Sequence, residues 1–381
     1  AHLNKFAKYM KDNGVPLSAI SIANEPDWGF DWTWWSADEI YNFTKNNASV
    51  LRANGNKVIT AESFAYSKSY YDKVLNDASA LKNVDIIGAH FYASDAKTAN
   101  SFFQYPLADG KGKERWMTEH YTDSKGDANL WKGYIQTSSQ EAPQVVWDTV
   151  RAYDVGYEIH RALVEGQFNL YTWWYIRRDY GPIKNSDGKV SKRGYTMAQF
   201  AKFVRPGAVR VDATKEPITK VNVSAFKKND SVVIVVVNRN VAKTLNISVP
   251  GGGTITTWKK YTTSATKNVQ DDGNVAAING SFSTSFDQES ITTLVGVIKS
   301  LGIGEANSAS REVQPDPFQQ NGFKVELDAP FQYRITNTMG AQVESGRGQG
   351  MVTVGNRLNP GVYLIDVQSP VGNFGRKILK N

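Results

Sequence analysis

From His2 to about residue 207, short apolar runs alternate with stretches of helical period, and this alternation narrows the fold more than any other feature of the chain. His2–Asn13 puts Leu3, Phe6, Tyr9 and Met10 on one helical face and stops at Gly14. Leu17–Ala23 follows as a short strand. Ser36, with Glu39 three residues on, predicts a capping box at the start of a second helix. Further strands are expected at Lys57–Ala61, Val84–His90, Glu114–Thr118 and Phe168–Trp174. Helices are expected around Tyr70–Leu75, over Val145–Val164 and from Tyr195 to Phe203. Repetition of this kind predicts parallel strands joined by right-handed crossovers, an α/β architecture.

The pattern changes at Ala208. Val221–Phe226, Val232–Val237, Leu245–Val249 and Ile291–Val297 are β-branched runs bounded by Asn, Asp and Gly, which predicts an all-β sandwich side domain over 208–298. Residues 299–314, rich in Gly, Ala, Asn and Ser, read as a linker, and 315–381 as a small C-terminal β module. A length of 381 residues suits two or three such units.

Composition excludes several chemistries. With no cysteine there are no disulfides, thiolate metal sites or cysteine nucleophiles, and four histidines are too few for most His-rich zinc centres. The sequence implies no metal and no cofactor. No apolar run approaches the ~20 residues of a membrane span. The net charge of +7 arises from 44 basic and 37 acidic residues that are interspersed, which reads as a solvated surface and not as a nucleic-acid face. Ten Trp and eighteen Tyr are the unusual feature, and flat aromatic faces suit the apolar faces of sugars, although large cores use them too.

Two carboxylates each follow directly on an apolar strand. Glu25 closes Ala19-Ile-Ser-Ile-Ala-Asn-Glu before Pro26, and Glu119 ends Trp116-Met-Thr-Glu. In β/α proteins the C-terminal strand ends carry the active-site side chains, so both acids are expected to face one cleft. Such a pair suffices for glycosidic hydrolysis, one acid protonating the leaving oxygen while the other attacks or activates water. A metal-binding pair is the rival, and no third ligand of suitable spacing stands out. Asn24 is placed to hydrogen-bond a sugar hydroxyl beside the acid, and Tyr92 to donate to a carboxylate and keep it ionised. His90 reads as a core or supporting residue. Trp173 and Trp174 alternate sides of a strand, with Trp174 the candidate sugar platform. The following Tyr175-Ile-Arg-Arg-Asp-Tyr-Gly-Pro182 offers arginines that grip a carboxylate, or that form an ordinary surface pair with an acid such as Asp179.

The stretches Ser21-Ile-Ala-Asn-Glu-Pro-Asp-Trp, Trp32-Thr-Trp-Trp, Trp116-Met-Thr-Glu, Trp173-Trp-Tyr-Ile-Arg-Arg, Ser191-Lys-Arg-Gly-Tyr and Phe203-Val-Arg-Pro-Gly resemble glycoside hydrolase family 30, most of all its bacterial glucuronoxylanase branch. The resemblance runs in order over roughly residues 1–298. It implies a retaining endo-β-1,4-xylanase on a (β/α)8 TIM barrel with a β-sandwich side domain, Glu25 as acid/base and Glu119 as nucleophile. It also implies that Tyr121, Ser124, Tyr175, Arg178 and Tyr180 receive the glucuronic acid branch, with Trp174 near the cleaved sugar. The implied partner is plant cell-wall glucuronoxylan, and the implied location is outside a bacterial cell. The C-terminal module resembles the sorting domain of type IX-secreted proteins, on Gly361-Val-Tyr-Leu and the terminal Lys377-Ile-Leu-Lys-Asn, which implies an encounter with secretion machinery.

The sequence departs from that pattern in three places. Asp179 stands where a small hydroxyl residue is usual, and the loop Asp123–Pro143 is longer than expected. The resemblance also begins on the helix before the fourth barrel strand, so the barrel is expected to lack its first three strands here, or to take them from another polypeptide segment. Two other readings follow. One is a different family 30 glycosidase, a β-glucosidase or β-1,6-glucanase, with no use for Arg178 as a carboxylate ligand. The other is a non-catalytic xylan-binding secreted protein.

Overall fold

A computed structural model of the chain describes residues 2–28, 33–92, 100–121, 131, 155–250, 255–298, 322–370 and 372–380. The chain divides into two compact units, Ala1–Val297 and Ile298–Asn381.

In the first unit, helix α1 (His2–Asp12) precedes strand β1 (Ala19–Ser21), and α2 (Ala37–Asn47) leads through a 3-10 turn to β2 (Lys57–Ile59). Next come α3 (Ser69–Asn76), α4 (Ala78–Leu81), β3 (Ile86–His90), α5 (Asn100–Phe103) and β4 (Glu114–Glu119). Helix α6 (Val155–Val164), β5 (Leu170–Tyr171) and α7 (Lys192–Ala201) complete the α/β part. The five strands form one parallel sheet in sequence order, β1-β2-β3-β4-β5. That order never reverses direction, unlike a doubly wound sheet, and it is the order in which a β/α barrel is wound.

Side chains alternate along β3 and its extension. Ile87, Ala89 and Phe91 pack with Tyr71, Leu75, Phe102 and Phe103 in a core beneath the helices. Gly88, His90 and Tyr92 take the other face. Gly88 is required there, because a Cβ would lie 2.5 Å from Cγ2 of Ile59 and 2.9 Å from Cγ of Glu62.

From Val209 the chain is β-structured. Strands β6 (Val209–Val211), β7 (Val221–Lys228), β8 (Ser231–Asn238), β9 (Lys243–Ser248), β10 (Thr257–Thr263), β11 (Gln270–Ala276), β12 (Ser281–Phe286) and β13 (Ser290–Val297) form two sheets. Six strands pair in the order β11-β10-β13-β8-β7-β6, and β12 pairs with β9. Strand β8 is buried on both faces, which its unbroken Val/Ile run anticipates. Val233, Val235 and Val237 pack against Ile159 of α6 and Phe200 of α7, while on the six-stranded sheet Trp258 meets Phe282 of the two-stranded one.

The second unit is a four-stranded antiparallel sheet of β14 (Phe323–Asn337), β15 (Gln342–Val354), β16 (Gly361–Ser369) and β17 (Gly372–Lys380), ordered β15-β14-β16-β17. Its core holds Phe323, Val325, Phe331, Ile335, Ile365 and Ile378. The expected linker 299–314 lies outside the described residues.

Some boundaries needed correction. The fifth strand is only Leu170–Tyr171, shorter than expected, although the N–H groups of Thr172 and Trp174 still donate to the carbonyls of Met117 and His120, at 2.9 Å each. The last helix starts at Lys192, three residues before Tyr195, because the Ser191 side chain accepts from the backbone N–H of Gly194 and caps it. Strands β10 to β12 escaped notice, since Lys, Thr, Asp and Ser dilute their period-2 signal. Of the helix expected over Val145–Val164, only Val155–Val164 is described.

The capping box is present as the spacing predicts. The N–H of Glu39 donates to Oγ of Ser36 at 3.3 Å, and the N–H of Ser36 donates to Oε2 of Glu39 at 2.8 Å. Replacing Ser36 with Ala should cost about 1 kcal/mol in urea unfolding, and Ser36→Asp should recover most of it. Equal stability of Ser36→Ala and parent would show that α2 is held by packing alone.

Candidate active site

Glu25 sits just beyond β1 with φ of 45°, in the left-handed region that non-glycine residues avoid, at a cost of about 1–3 kcal/mol. Neighbouring backbone holds it there. Its N–H donates to the carbonyl of Glu62 at 2.8 Å, and its own carbonyl accepts from Trp28 at 3.0 Å. Asp27 fastens the same turn to the end of β2, accepting from Oγ of Ser63 at 2.6 Å and the N–H of Phe64 at 2.8 Å. The Glu25 side chain is buried, while Asn24 beside it is exposed.

Glu119 reaches the same place through an irregularity in the ladder. Ala89 pairs with Met117 but His90 pairs with Glu119, so Thr118 is an extra residue that re-aims Glu119 towards His90. The hydroxyl of Tyr92 donates to Oε1 of Glu119 at 2.9 Å. One carboxylate oxygen of Glu25, one of Glu119 and a ring nitrogen of His90 all lie within 4.8 Å of one another. Nδ1 of His90 and Oε1 of Glu25 face each other at a hydrogen-bonding distance of 2.8 Å, so the cluster reads as a proton network.

His90, expected to be a supporting residue, is therefore bonded directly to Glu25. Its other nitrogen, Nε2, lies 3.4 Å from Oε2 of Glu62, a residue the sequence reading passed over. The signal was available: Glu62 also follows a strand, Lys57-Val-Ile-Thr-Ala, and the rule that selected Glu25 and Glu119 selects it too.

Burial pushes the Glu119 carboxyl up and the neighbouring charges of Glu25 and Glu62 add to this, against the pull of His90 and the Tyr92 hydroxyl; the net shift is upward. Burial also works to raise Glu62, but hydrogen bonds from His90, Ser21 and Thr118 outweigh it and hold the carboxyl low. Burial alone would lower His90, yet its hydrogen bonds to Glu25 and Glu62 and the charges of Glu62 and Glu119 hold it up at about 9. Burial raises the Tyr92 hydroxyl, and Glu119 raises it further, so it stays a donor.

The aromatic candidates flank this cluster. Tyr92 meets Tyr121 edge-on at 5.6 Å, and Tyr121 stacks on Tyr180 at 4.7 Å. Trp173 is buried, whereas Trp174 is 38% exposed and its ring lies 4.0 Å from that of Tyr175. The Arg178 guanidinium sits 4.3 Å above the Tyr175 ring. Arg178 and Asp179 are both exposed, and among the described residues they form no ion pair. The loop carrying Arg178 is anchored from below, where buried Arg193 donates to the carbonyl of Tyr180 and Oγ of Ser191 donates to that of Gly181 at 2.8 Å. Gly194 permits this, since a Cβ there would lie 2.3 Å from the Pro182 carbonyl oxygen. Ser124 and most of the loop Asp123–Pro143 lie outside the described residues.

A sequentially wound parallel sheet with two acids converging from its strand ends, beside a β domain, defines the glycosidase type of β/α protein. The chain is 44% identical over 296 residues to the glucuronoxylanase XynC of Bacillus subtilis strain 168, covering 77% of this chain and 64% of that protein. The chain thus spans about 64% of the length of the curated relatives it matches. Among solved structures it resembles a GH30 endoxylanase from Clostridium papyrosolvens C71, with a TM-score of 0.67 and 39% identity over 78% of this chain and 69% of that one. It also resembles the glycoside hydrolase family 30 subfamily 8 xylanase Xyn30A from Clostridium acetobutylicum, with a TM-score of 0.66 and 33% identity over 78% and 70% of the two chains. No protein-family model matches the chain. The chain belongs to glycoside hydrolase family 30. Its parallel sheet and adjoining β sheets accordingly correspond to a TIM-barrel-like catalytic domain and a β domain.

The Tyr92 contact makes a direct prediction. A hydrogen bond to a charged group is worth ~1.5–3 kcal/mol, so Tyr92→Phe should raise the Glu119 carboxyl by a further ~1–2 pH units. Carbon NMR titration of labelled glutamate carboxyls checks this, and an unmoved Glu119 resonance would mean that the hydroxyl does not act on it.

Proposed function

We propose that the protein is an endo-acting glucuronoxylanase that cleaves β-1,4-xylosidic bonds with retention and takes its register from a glucuronic acid branch. The observation that carries this reading is the approach of Glu25 and Glu119 oxygens to within 4.8 Å. Retaining pairs stand ~5–5.5 Å apart, whereas inverting pairs need ~6.5–9.5 Å to admit a water. Glu119, accepting a hydrogen bond from Tyr92, attacks the anomeric carbon, and Glu25 gives its proton to the departing oxygen. Glu25 then takes a proton from water, whose oxygen displaces Glu119 from the sugar. Asn24 binds a hydroxyl of the cleaved sugar, and the exposed Trp174 ring offers its face to the xylan chain.

Specificity is assigned to Arg178. Its guanidinium, propped on Tyr175 and unpaired with Asp179, presents paired donors to a glucuronate carboxylate. Tyr121, Ser124, Tyr175 and Tyr180 surround the branch in this reading. The C-terminal β module, residues 315–381, is read as the one that hands the enzyme to a type IX-like secretion machinery, with cell-wall glucuronoxylan met outside a bacterial cell.

Charged hydrogen bonds of ~1.5–3 kcal/mol, if expressed in the transition state, correspond to roughly 10–150-fold in kcat/KM. Arg178→Ala in the full-length enzyme should lose that much on glucuronoxylan and far less on linear xylan. Equal losses on the two polymers would make Arg178 structural and the enzyme a general xylanase.

A further inference from the structure

We propose that Glu62 is a positioning residue for Glu25, acting through His90. Glu62 keeps the imidazole ring of His90 protonated at both nitrogens, so that Glu25 must carry its catalytic proton on Oε2. The inference rests on the reading of Glu25 as the acid.

The contact between Nδ1 of His90 and Oε1 of Glu25 can share its proton in two ways. If Nδ1–H donates, Oε1 is engaged as an acceptor and the acid proton resides on Oε2. If instead Oε1–H donates to a bare Nδ1, the proton points into the buried wall, away from any sugar oxygen. The other end of the ring decides between them. Nε2 lies 3.4 Å from Oε2 of Glu62, whose carboxyl is held low by hydrogen bonds from Ser21 and Thr118 as well as from His90 itself. An ionised carboxylate only accepts, so Nε2 carries a proton. A neutral ring with its single proton on Nε2 would leave Nδ1 bare and draw the Glu25 proton the wrong way. Only the imidazolium donates at both ends.

The surroundings favour that cation. Among the described residues, the titratable groups facing His90 are Glu25 beyond β1, Glu62 beyond β2, Glu119 of β4 and Tyr92 on its own strand. Among the described residues no lysine or arginine forms an ion pair with any of the three carboxylates, so His90 is their cationic partner. The proton balance of the reaction is kept. The Oε2 proton passes to the glycosidic oxygen, the resulting carboxylate stays hydrogen-bonded to the imidazolium, and Oε2 later recovers a proton from water.

The arrangement predicts how Glu62→Gln fails. Removing the charge loosens the ring proton of His90, and with it the productive arrangement, so the alkaline limb of kcat/KM on xylan should move to lower pH by about one pH unit. The loss on xylan should be at least roughly tenfold, because the leaving sugar needs the misplaced proton. On a dinitrophenyl xylobioside, whose leaving group needs none, kcat/KM should stay close to the parent's. Equal losses on both substrates with an unmoved limb would overturn the proposal and make Glu62 structural. Should the variant not fold, the parent decides alone. With only four histidines in the chain, nitrogen NMR of the imidazoles can read His90 directly. Both ring nitrogens protonated at pH 7 supports the proposal, and a neutral ring overturns it. That spectrum is independent of substrate, so a parent inactive on xylan would count against the proposed function and not against the ring's state.

Discussion

The buried contact between Nδ1 of His90 and Oε1 of Glu25, at 2.8 Å, is the interaction around which the rest of the site is arranged. It joins the ends of two strands that are not neighbours, since β2 lies between β1 and β3. Between them, Gly88 of β3 leaves room for the Glu62 side chain, whose Cγ would lie 2.9 Å from a Cβ at that position. The extra residue in β4 then turns Glu119 towards the same ring. Three carboxylates gathered around one imidazole would repel one another in a poorly solvated pocket. A cation among them offsets that repulsion, and hydrogen bonds from Tyr92, Ser21 and Thr118 add to it. The left-handed backbone at Glu25 is tolerated on the same terms, fixed on one side by the Glu62 carbonyl and on the other by the Trp28 N–H.

The loop that carries Arg178 is built differently. The chemical centre rests on strands and buried polar contacts, whereas Arg178 lies on an exposed loop that must be made rigid from underneath. Arg193 does this, stacked on Trp173 at 4.9 Å and donating to the Tyr180 carbonyl, while Ser191 both caps α7 and binds the Gly181 carbonyl. The two arginines, fifteen residues apart in the chain by their numbers, thus differ in their surroundings. Arg193 is buried and holds the loop, and Arg178 is exposed on it.

Much of this was legible in the residues. Pro26 after Glu25 marks a strand end without ambiguity, and the run Trp116-Met-Thr before Glu119 does the same, so both acids could be placed on one rim. Glu62 was missed because Ser63 continues the polar stretch and no proline punctuates it, although its position relative to its strand is equivalent. His90 was undervalued because a lone histidine in an apolar run is usually a satisfied core group; its partners come from strands 65 and 28 residues away in the chain, which no local pattern reveals. The bulge at Thr118 is likewise a property of the pairing and not of β4 alone. In the β domain, β8 announced itself through six consecutive Val and Ile residues, whereas β11, with two Asp, a Gly and an Asn, has no apolar period to read.

The central claim is that Glu25 and Glu119 stand close enough for one to attack sugar carbon while the other serves the oxygen. The most direct measurement is the anomeric configuration of the first sugar end released from glucuronoxylan by the full-length enzyme, followed by proton NMR before mutarotation. Attack by Glu119 followed by attack of water inverts the carbon twice, so the account predicts the β anomer first. Appearance of the α anomer first would mean a single displacement by water, and would contradict the geometry assigned to the pair.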